Sequence, residues 1–173
     1  MPIDIPSIII SSVIKAIPNL FVTMWPLIVF LIFVFIYKIY LFSRLKKSGM
    51  LEIDKMTGPE FEKRLSILFS NLGYKVRESG KPTGDYGVDL VIEKNDIKTA
   101  VQAKCYKRQL VGEDAVREVY SGKNYYNCSE AIVITNSNFS RMAWQLAKSN
   151  KVKLWNRNYL TKVLLTEKAK ISN

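Results

Sequence analysis

The chain has 173 residues and a mass of 19.9 kDa, which leaves room for one ordinary domain and an appendage. Apolar residues make up 48% and charged residues 24%, which argues against a wholly disordered chain. Histidine is absent, which excludes Ser-His-Asp and Cys-His hydrolases, histidine-ligated zinc sites and any nuclease with a histidine general base. Cys105 and Cys128 form no CxxC pair and are expected to be buried, inert thiols in a reducing compartment.

The net charge is +11 and the sequence pI is about 9.6, so an anionic partner is favoured, either a nucleic acid or an anionic membrane surface. The excess is concentrated in residues 101–173, which hold 13 basic and 5 acidic residues. Generic solvated lysine is the alternative explanation, and charge alone does not decide between them.

The N-terminal region contains an unbroken apolar run. All 22 residues from 16 to 37 are uncharged. A helix of that length spans roughly 33 Å, which is enough for the hydrocarbon core of a bilayer. Trp25 lies within the run, Tyr37 and Tyr40 fall at its far edge, and Pro26 is expected to kink the helix. A single transmembrane helix is therefore predicted for residues 16–42. A buried hairpin of the soluble domain is the alternative.

Basic residues follow this run and predict its orientation. They are Lys38, Arg44, Lys46 and Lys47, against Lys15 alone before it. The positive-inside rule then places the C-terminal part in the cytoplasm, with one span in a prokaryotic inner membrane. A cleaved signal peptide fits poorly. In a signal peptide the basic residues precede the apolar run and a small-residue cleavage site follows it, whereas here the basic residues follow the run and no such site is present.

The soluble part begins with a helix that has clear start and stop signals. Thr57 and Glu60 form a capping box, Pro59 lies in the first turn and Gly73 ends the helix. Between them, apolar residues recur at helical spacing: Phe61, Leu65, Leu68, Phe69 and Leu72. The next predicted elements are a short strand over residues 74–78 and a glycine-rich loop over 79–87. A β-hairpin follows, with strands over 88–93 and 99–106 and a turn at 94–96.

The second half alternates helices with buried strands. The pattern predicts helices over residues 112–126, 140–149 and 156–165 and strands over 131–135 and 152–155. Ser140 and Asn156 precede the last two helices, and Asn156 is expected to cap the final one. This alternation predicts an α/β fold with helices on both faces of a mixed sheet.

Four polar residues interrupt the hydrophobic pattern. Asp89 stands at the head of an apolar strand, and Gln102 and Lys104 lie two residues apart, so both side chains project from one face of the next strand. If the hairpin pairs as predicted, Asp89 lies near that pair. Glu62 on the first helix faces away from the Phe61 side and is the fourth residue.

These residue types suit phosphodiester hydrolysis. A hard divalent cation on the scissile phosphate is held by carboxylate and carbonyl oxygens, and a lysine can orient water and stabilise developing charge. A purely structural Asp89–Lys104 ion pair is the alternative from the residues alone.

Four segments in order resemble the Mrr-type restriction endonuclease domain of the PD-(D/E)xK nuclease superfamily. They are TGPEFEKRLSILFSNLGYKV, GDYGVDLVI, VQAKCYK and VGEDAVREVY, and the resemblance covers residues 54–165. It implies a restriction-endonuclease-like mixed sheet and a Mg²⁺-dependent endodeoxyribonuclease, with Mn²⁺ as a substitute. The predicted parts are then a short N-terminal segment (residues 1–15), the membrane helix (16–42) and a basic linker (43–55). The nuclease domain (56–168) and a tail (169–173) follow.

The resemblance also assigns roles by position. Asp89 matches the metal-binding aspartate, Gln102 stands where most of the superfamily has a second acid, Lys104 matches the active-site lysine and Glu62 the acid of the first helix. The main-chain carbonyl of Ala103 is implied as a further metal ligand. Asp85 matches a family position and is an additional candidate, with turn capping as the alternative.

A glutamine ligand leaves the site one negative charge poorer than a glutamate, so dependence on millimolar Mg²⁺ is expected. Basic residues of the second half are available to contact DNA phosphates: Lys107, Arg108, Arg117, Lys123 and Arg141. Residues 136–138 are interpreted as a turn, with phosphate contact as the alternative.

The expected function is membrane-anchored cleavage of double-stranded DNA in restriction of foreign or modified DNA. The lipid bilayer around residues 16–42 is the second expected partner, and a homodimer would allow both strands to be cut. Two alternatives are a repair or junction-resolving nuclease and a membrane-tethered module that binds or senses DNA without cutting it.

Overall fold

A computed structural model describes residues 24–41, 43–44, 49–79, 86–107 and 109–172. The chain divides into two units, Met1–Arg44 and Leu45–Asn173. In the first, helix α1 (Met24–Leu41) has 18 residues and a mean hydropathy of 2.2, and none of it is buried. By length and composition it is able to cross a membrane, a property that signal sequences near an N-terminus share. The predicted residues 16–23 of the span lie outside the described residues.

The second unit contains a sheet of five strands with two helices on each face. The strands are β1 (Lys75–Glu78), β2 (Leu90–Lys94), β3 (Ile97–Lys104), β4 (Glu130–Thr135) and β5 (Lys153–Trp155). Their spatial order is β1-β2-β3-β4-β5; the first three are antiparallel neighbours, and β3, β4 and β5 run parallel. The helices are α2 (Met50–Ile53), α3 (Gly58–Asn71), α4 (Asp114–Tyr125), α5 (Arg141–Asn150) and α6 (Arg157–Ser172).

Each face of the sheet has its own hydrophobic core. Helices α4 and α5 cover one face, where Val116, Val119 and Ala143 pack on strand residues such as Ala100 and Val133. Helices α3 and α6 cover the other, where Phe61, Leu65 and Leu160 pack on residues such as Leu90 and Val101. This is the α/β mixed sheet flanked by helices that the sequence predicts.

Local signals produce the first helix and the hairpin as predicted. The Glu60 carboxylate accepts the Thr57 backbone N–H at 2.8 Å, and Gly73 ends α3 with φ +85°. Asn95 and Asp96 both have positive φ, as in the two-residue turn that matches the twist of a hairpin. The Ser140 hydroxyl caps α5 by accepting Ala143 N–H at 3.0 Å, and the Asn156 side chain caps α6 by accepting Tyr159 N–H at 3.0 Å.

The structure differs from the sequence prediction at both ends of the domain. Residues 43–55 were expected to be a linker, but α2 forms within them and Ile53 is fully buried in the core shared with α3. Helix α6 was expected to end at residue 165, before a tail over 169–173, but it continues to Ser172. Of the two cysteines, Cys128 is buried and Cys105 is half-buried, and burial raises the pKa of both thiols.

A buried ion pair explains the length of α6. Arg64 on α3 and Glu167 on α6 are each 1% exposed, and Arg64 Nη2 lies 2.5 Å from Glu167 Oε2. The second guanidinium nitrogen donates to Glu167 Oε1 at 3.2 Å, and Asn71 Nδ2 donates to the same oxygen at 2.7 Å. The helix must extend past residue 165 to bring this carboxylate to α3.

We predict that Glu167→Ala destabilises the domain by about 3–5 kcal/mol, because it leaves the buried Arg64 charge without this partner. The double variant Arg64→Met/Glu167→Leu removes both charges and should regain most of that loss. Urea unfolding followed by circular dichroism measures both. A Glu167→Ala loss below about 1 kcal/mol would contradict the role assigned to this pair.

Candidate active site

The pairing of β2 with β3 places three of the four predicted polar residues, Asp89, Gln102 and Lys104, on one face of the sheet. Leu90 pairs with Val101, so the next position, Asp89, lies opposite Gln102. The Asp89 backbone N–H extends the ladder by donating to the Val101 carbonyl at 2.9 Å. Lys104 lies two residues beyond Gln102 and therefore projects from the same face.

Two donors from β3 hold the Asp89 carboxylate. Gln102 Nε2 donates to Asp89 Oδ2 at 2.9 Å, and the Ala103 backbone N–H donates to the same oxygen at 2.6 Å. On the other side, the Ser79 backbone N–H donates to the Asp89 carbonyl at 2.9 Å. The carboxylate is thereby fixed against the backbone that carries Ala103, the residue predicted to offer a carbonyl ligand.

The Gln102 amide oxygen is unusual. The residue is 5% exposed, and Oε1 is buried with no hydrogen-bond partner in the described part of the chain. An unpaired buried amide oxygen costs free energy unless another group satisfies it. A divalent cation accepts such an oxygen together with a carboxylate and a carbonyl, so the donor set fits a hard metal ion. Among the described residues, no group of three or more His, Cys, Asp and Glu residues forms a metal site, so the amide and the carbonyl are needed.

Lys104 is paired with a residue that the sequence analysis missed. Its Nζ lies 2.8 Å from Glu118 Oε2 on α4, with 24% of the Lys104 side chain exposed. Burial acts to lower the pKa of the Lys104 ammonium, but the hydrogen bond and charge of Glu118, helped by Tyr106 and Asp89, outweigh it and raise the pKa above its ordinary value. Lys104 is therefore a firmly protonated cation, and its ion-pair partner is Glu118 rather than Asp89.

Glycine contacts bring α4 close enough for this pair. A Cβ on Gly87 would lie 2.5 Å from Glu118 Cβ, and Gly87 also has φ +73°. A Cβ on Gly122 would lie 2.7 Å from Val88 Cγ2 and would collide with the Tyr86 carbonyl oxygen. The segment that leads into Asp89 thus lies directly on α4, which no local sequence signal predicts.

Two other predicted residues are less closely tied to this cluster. Glu62 is half-buried in the first turns of α3, and its Oε1 lies 4.0 Å from the position that a Cβ on Gly58 would take. Its place in the site stays a prediction. Asp85 lies outside the described residues.

The predicted DNA-contacting residues have different surroundings. Arg117 is held by Glu113 at 3.2 Å and Asp114 at 2.9 Å, and Lys123 lies over the Tyr120 ring at 5.4 Å. Lys107 and Arg141 are exposed, and Arg108 lies outside the described residues.

Asn136 has a structural role. It is 2% exposed, its Oδ1 accepts the Tyr106 backbone N–H at 2.8 Å, and its Nδ2 donates to Asp54 Oδ1 at 3.2 Å. Arg157 binds the same Asp54 carboxylate through both terminal nitrogens, at 2.6 and 2.7 Å, and this hydrogen bonding lowers the pKa of Asp54 despite partial burial. The network fixes the chain just after Lys104, and it favours the turn interpretation over phosphate contact for Asn136.

Solved structures with a similar fold include one restriction endonuclease. AspBHI, a DNA modification-dependent restriction endonuclease, aligns with a TM-score of 0.52 and 17% identity over 76% of this chain and 35% of its own. A protein of unknown function, AF1548, aligns with a TM-score of 0.51 and 16% identity over 57% of this chain and 58% of its own. MspJI in complex with a 27-mer oligonucleotide aligns at a TM-score of 0.43, with 22% identity over 60% of this chain and 26% of its own. The present chain thus spans less than two thirds of each of these proteins.

No curated protein matches the chain significantly. The family model of the Mrr catalytic domain, described as a restriction endonuclease, matches residues 53–164, which is more than half of the chain. The match begins at the buried Ile53 and ends within α6, so it covers the whole sheet and the cluster around Asp89. The chain belongs to the Mrr-type restriction endonuclease family.

Proposed function

We propose that this protein is a membrane-anchored, Mg²⁺-dependent DNA endonuclease. The observation that carries the proposal is the cluster on one sheet face: a fixed Asp89 carboxylate, the partnerless Gln102 Oε1 and the protonated Lys104. Family membership supports the reaction class, hydrolysis of a DNA phosphodiester bond.

Asp89, Gln102 Oε1 and the Ala103 carbonyl would hold the cation, with Glu62 as a further acid at the site. When bound, a divalent cation polarises the scissile phosphate and activates water, and Mn²⁺ is expected to substitute for Mg²⁺. The Ala103 and Gln102 donors orient the Asp89 side chain, because both bond to its carboxylate.

Lys104 serves as a cation and not as a general base. Glu118 raises its pKa, so the ammonium keeps its proton at neutral pH and can donate hydrogen bonds to phosphate oxygens. Its preorganised position stabilises charge that develops on the phosphate during hydrolysis.

The proposed biological role is restriction of foreign or modified DNA at the cytoplasmic side of the membrane. The apolar helix α1 supports anchoring, and the basic residues after it support a cytoplasmic domain. A supercoiled-plasmid nicking assay with and without EDTA tests the proposal, and unmethylated against methylated plasmid tests its restriction role. Nicking of both plasmids alike would favour a repair nuclease; binding without any nicking would leave a tethered sensing module.

We predict that Lys104→Ala lowers the nicking rate by roughly 10²–10³, the scale for loss of one preorganised stabilising group. Asp89→Asn should have a similar effect and should weaken Mg²⁺ binding in calorimetry, because a neutral oxygen replaces a charged ligand. DNA affinity should change little, since other cations contact phosphates.

Lys153→Ala is the matched control for Lys104→Ala. Lys153 is also a strand lysine in an ion pair, 2.6 Å from Glu130, but it lies on β5. It should leave the nicking rate per folded chain unchanged. Lys104→Ala and Asp89→Asn variants that melt early yet nick at the wild-type rate per folded chain would contradict the catalytic assignment.

Glu118 is predicted to be a positioning residue for Lys104. Glu118→Gln removes the negative charge that raises the Lys104 pKa, so the ammonium should lose its proton at lower pH than in the wild type. The alkaline limb of the pH–rate profile should therefore move to lower pH, while the acid limb stays in place. A profile that only scales down uniformly would indicate a merely structural contact.

Topology is testable independently of chemistry. The domain after residue 50 should resist protease added outside intact spheroplasts and should be digested after detergent treatment. Digestion in intact spheroplasts would overturn the proposed orientation.

A further inference from the structure

The sheet face that carries Asp89 continues into a basic surface. Side chains at alternate positions share a face, and the register places Arg77 beside Val91 and then Lys75 beside Glu93, which also pairs with Lys98. Glu93 lies four residues beyond Asp89, which is ~13 Å along the strand. Lys75, Arg77 and Lys98 therefore project from the same face as Asp89, Gln102 and Lys104.

This part of the face is open. The three cations are exposed and line a concavity of about 160 Å³, together with Val76, Val91 and Glu93. Lys123 on α4 belongs to the same neighbourhood. Burial raises the pKa of the Cys128 thiol, and the positive charges of Arg77, Lys98 and Lys123 act against that rise, so all three lie within electrostatic range of this residue. We define Lys75, Arg77, Lys98 and Lys123 as the basic surface.

Among the described residues, the cations of the basic surface form no ion pair. Within the described residues, no carboxylate lies within 4.0 Å of any of the four, and Glu93 is the acidic residue that lines the concavity. Other cations of the domain, such as Lys63, Lys153 and Arg157, are paired with carboxylates at 2.6–2.8 Å. Four converging cations beside a single acid attract an anionic ligand.

Two exposed tyrosines, Tyr86 and Tyr125, form a stacked pair at helix α4. Tyr86 and Tyr125 are 60% and 51% exposed, and their ring centroids lie 4.3 Å apart with the planes inclined by 33°. Tyr86 has φ +51°, a conformation that bulky residues rarely adopt, and its carbonyl is packed on Gly122. The α4 contact thus holds an exposed aromatic pair three residues before Asp89.

We propose that the basic surface binds the phosphate backbone of DNA beyond the point of cleavage, and that the Tyr86–Tyr125 pair contacts its bases or sugars. This inference deepens the proposed function and rests on it. Unpaired cations supply phosphate contacts and exposed rings supply stacking, the combination typical of nucleic-acid surfaces. DNA is favoured over anionic lipid because the proposed reaction brings DNA to this domain, and the exposed tyrosine pair begins three residues before Asp89 in the chain.

The test uses the full chain in a non-ionic detergent, with EDTA present so that binding is measured without cleavage. The variant Arg77→Gln/Lys98→Gln should weaken binding of a fluorescent DNA duplex and reduce the slope of log affinity against log salt by about 2. The control Lys148→Gln/Lys162→Gln removes two exposed lysines from α5 and α6, with the same change in charge, and should leave both quantities unchanged. Melting temperatures confirm that each variant is folded.

A second variant tests the aromatic pair. Tyr125→Leu should lower affinity for the same DNA duplex roughly tenfold, the scale of one lost aromatic contact. Equal losses in the two double variants, or no loss in Arg77→Gln/Lys98→Gln, would overturn the inference. A loss of binding to vesicles of phosphatidylserine and phosphatidylcholine, with DNA binding intact, would overturn it in favour of a lipid contact.

Different experimental outcomes would refute the basic-surface inference and the proposed nuclease function. Wild-type nicking in Mg²⁺ with unaltered DNA affinity in the double variant would refute the basic surface and leave the nuclease in place. Affinity that depends on the basic surface, without nicking in Mg²⁺ or Mn²⁺, would refute the nuclease and support a DNA-binding module.

Discussion

The close approach of α4 to residues 86–88 is the constraint on which the site depends. Neither Gly87 nor Gly122 can carry a side chain there without a collision, so the backbones pack directly on each other. This contact sets the height of Glu118 relative to Lys104 and leads the chain into Asp89 beside β3. It also stacks Tyr86 on Tyr125, so the reaction centre and the neighbouring aromatic pair share one structural cause.

The electrostatics of the site follow from a small number of charges. Gln102 Nε2 and the Ala103 backbone N–H donate to the Asp89 carboxylate, whereas Lys104 is paired with Glu118. The hydrogen bond and charge of Glu118 raise the pKa of Lys104, so the ammonium remains protonated near Asp89. In the proposed metal site, the Gln102 oxygen would add a ligand without adding charge, so weak binding of Mg²⁺ is expected.

Two polar networks brace the sheet around this centre. On the α3 side, the buried Arg64–Glu167 pair joins α3 to α6. At the ends of β3 and β4, Asp54, Asn136 and Arg157 bind one another and the backbone of Tyr106, which follows Lys104 by two residues. Both networks join residues that are far apart in the chain, and each restricts the backbone that carries the site.

The sequence by itself determined most of the elements and suggested that Asp89, Gln102 and Lys104 lie close together. Capping residues, helical spacing and turn residues act within a few residues, so they predict α3 and the hairpin, whereas the register that sets Asp89 opposite Gln102 comes from the structure. Only the tertiary structure decided the partner of Lys104, the extent of α6 and the burial of Ile53. It also decided that Arg117 is held by Glu113 and Asp114, while no described carboxylate forms an ion pair with Arg77 or Lys98. The physical reason is that these features arise from contacts between residues distant in the chain, whose charges and shapes meet only after the sheet and helices have packed.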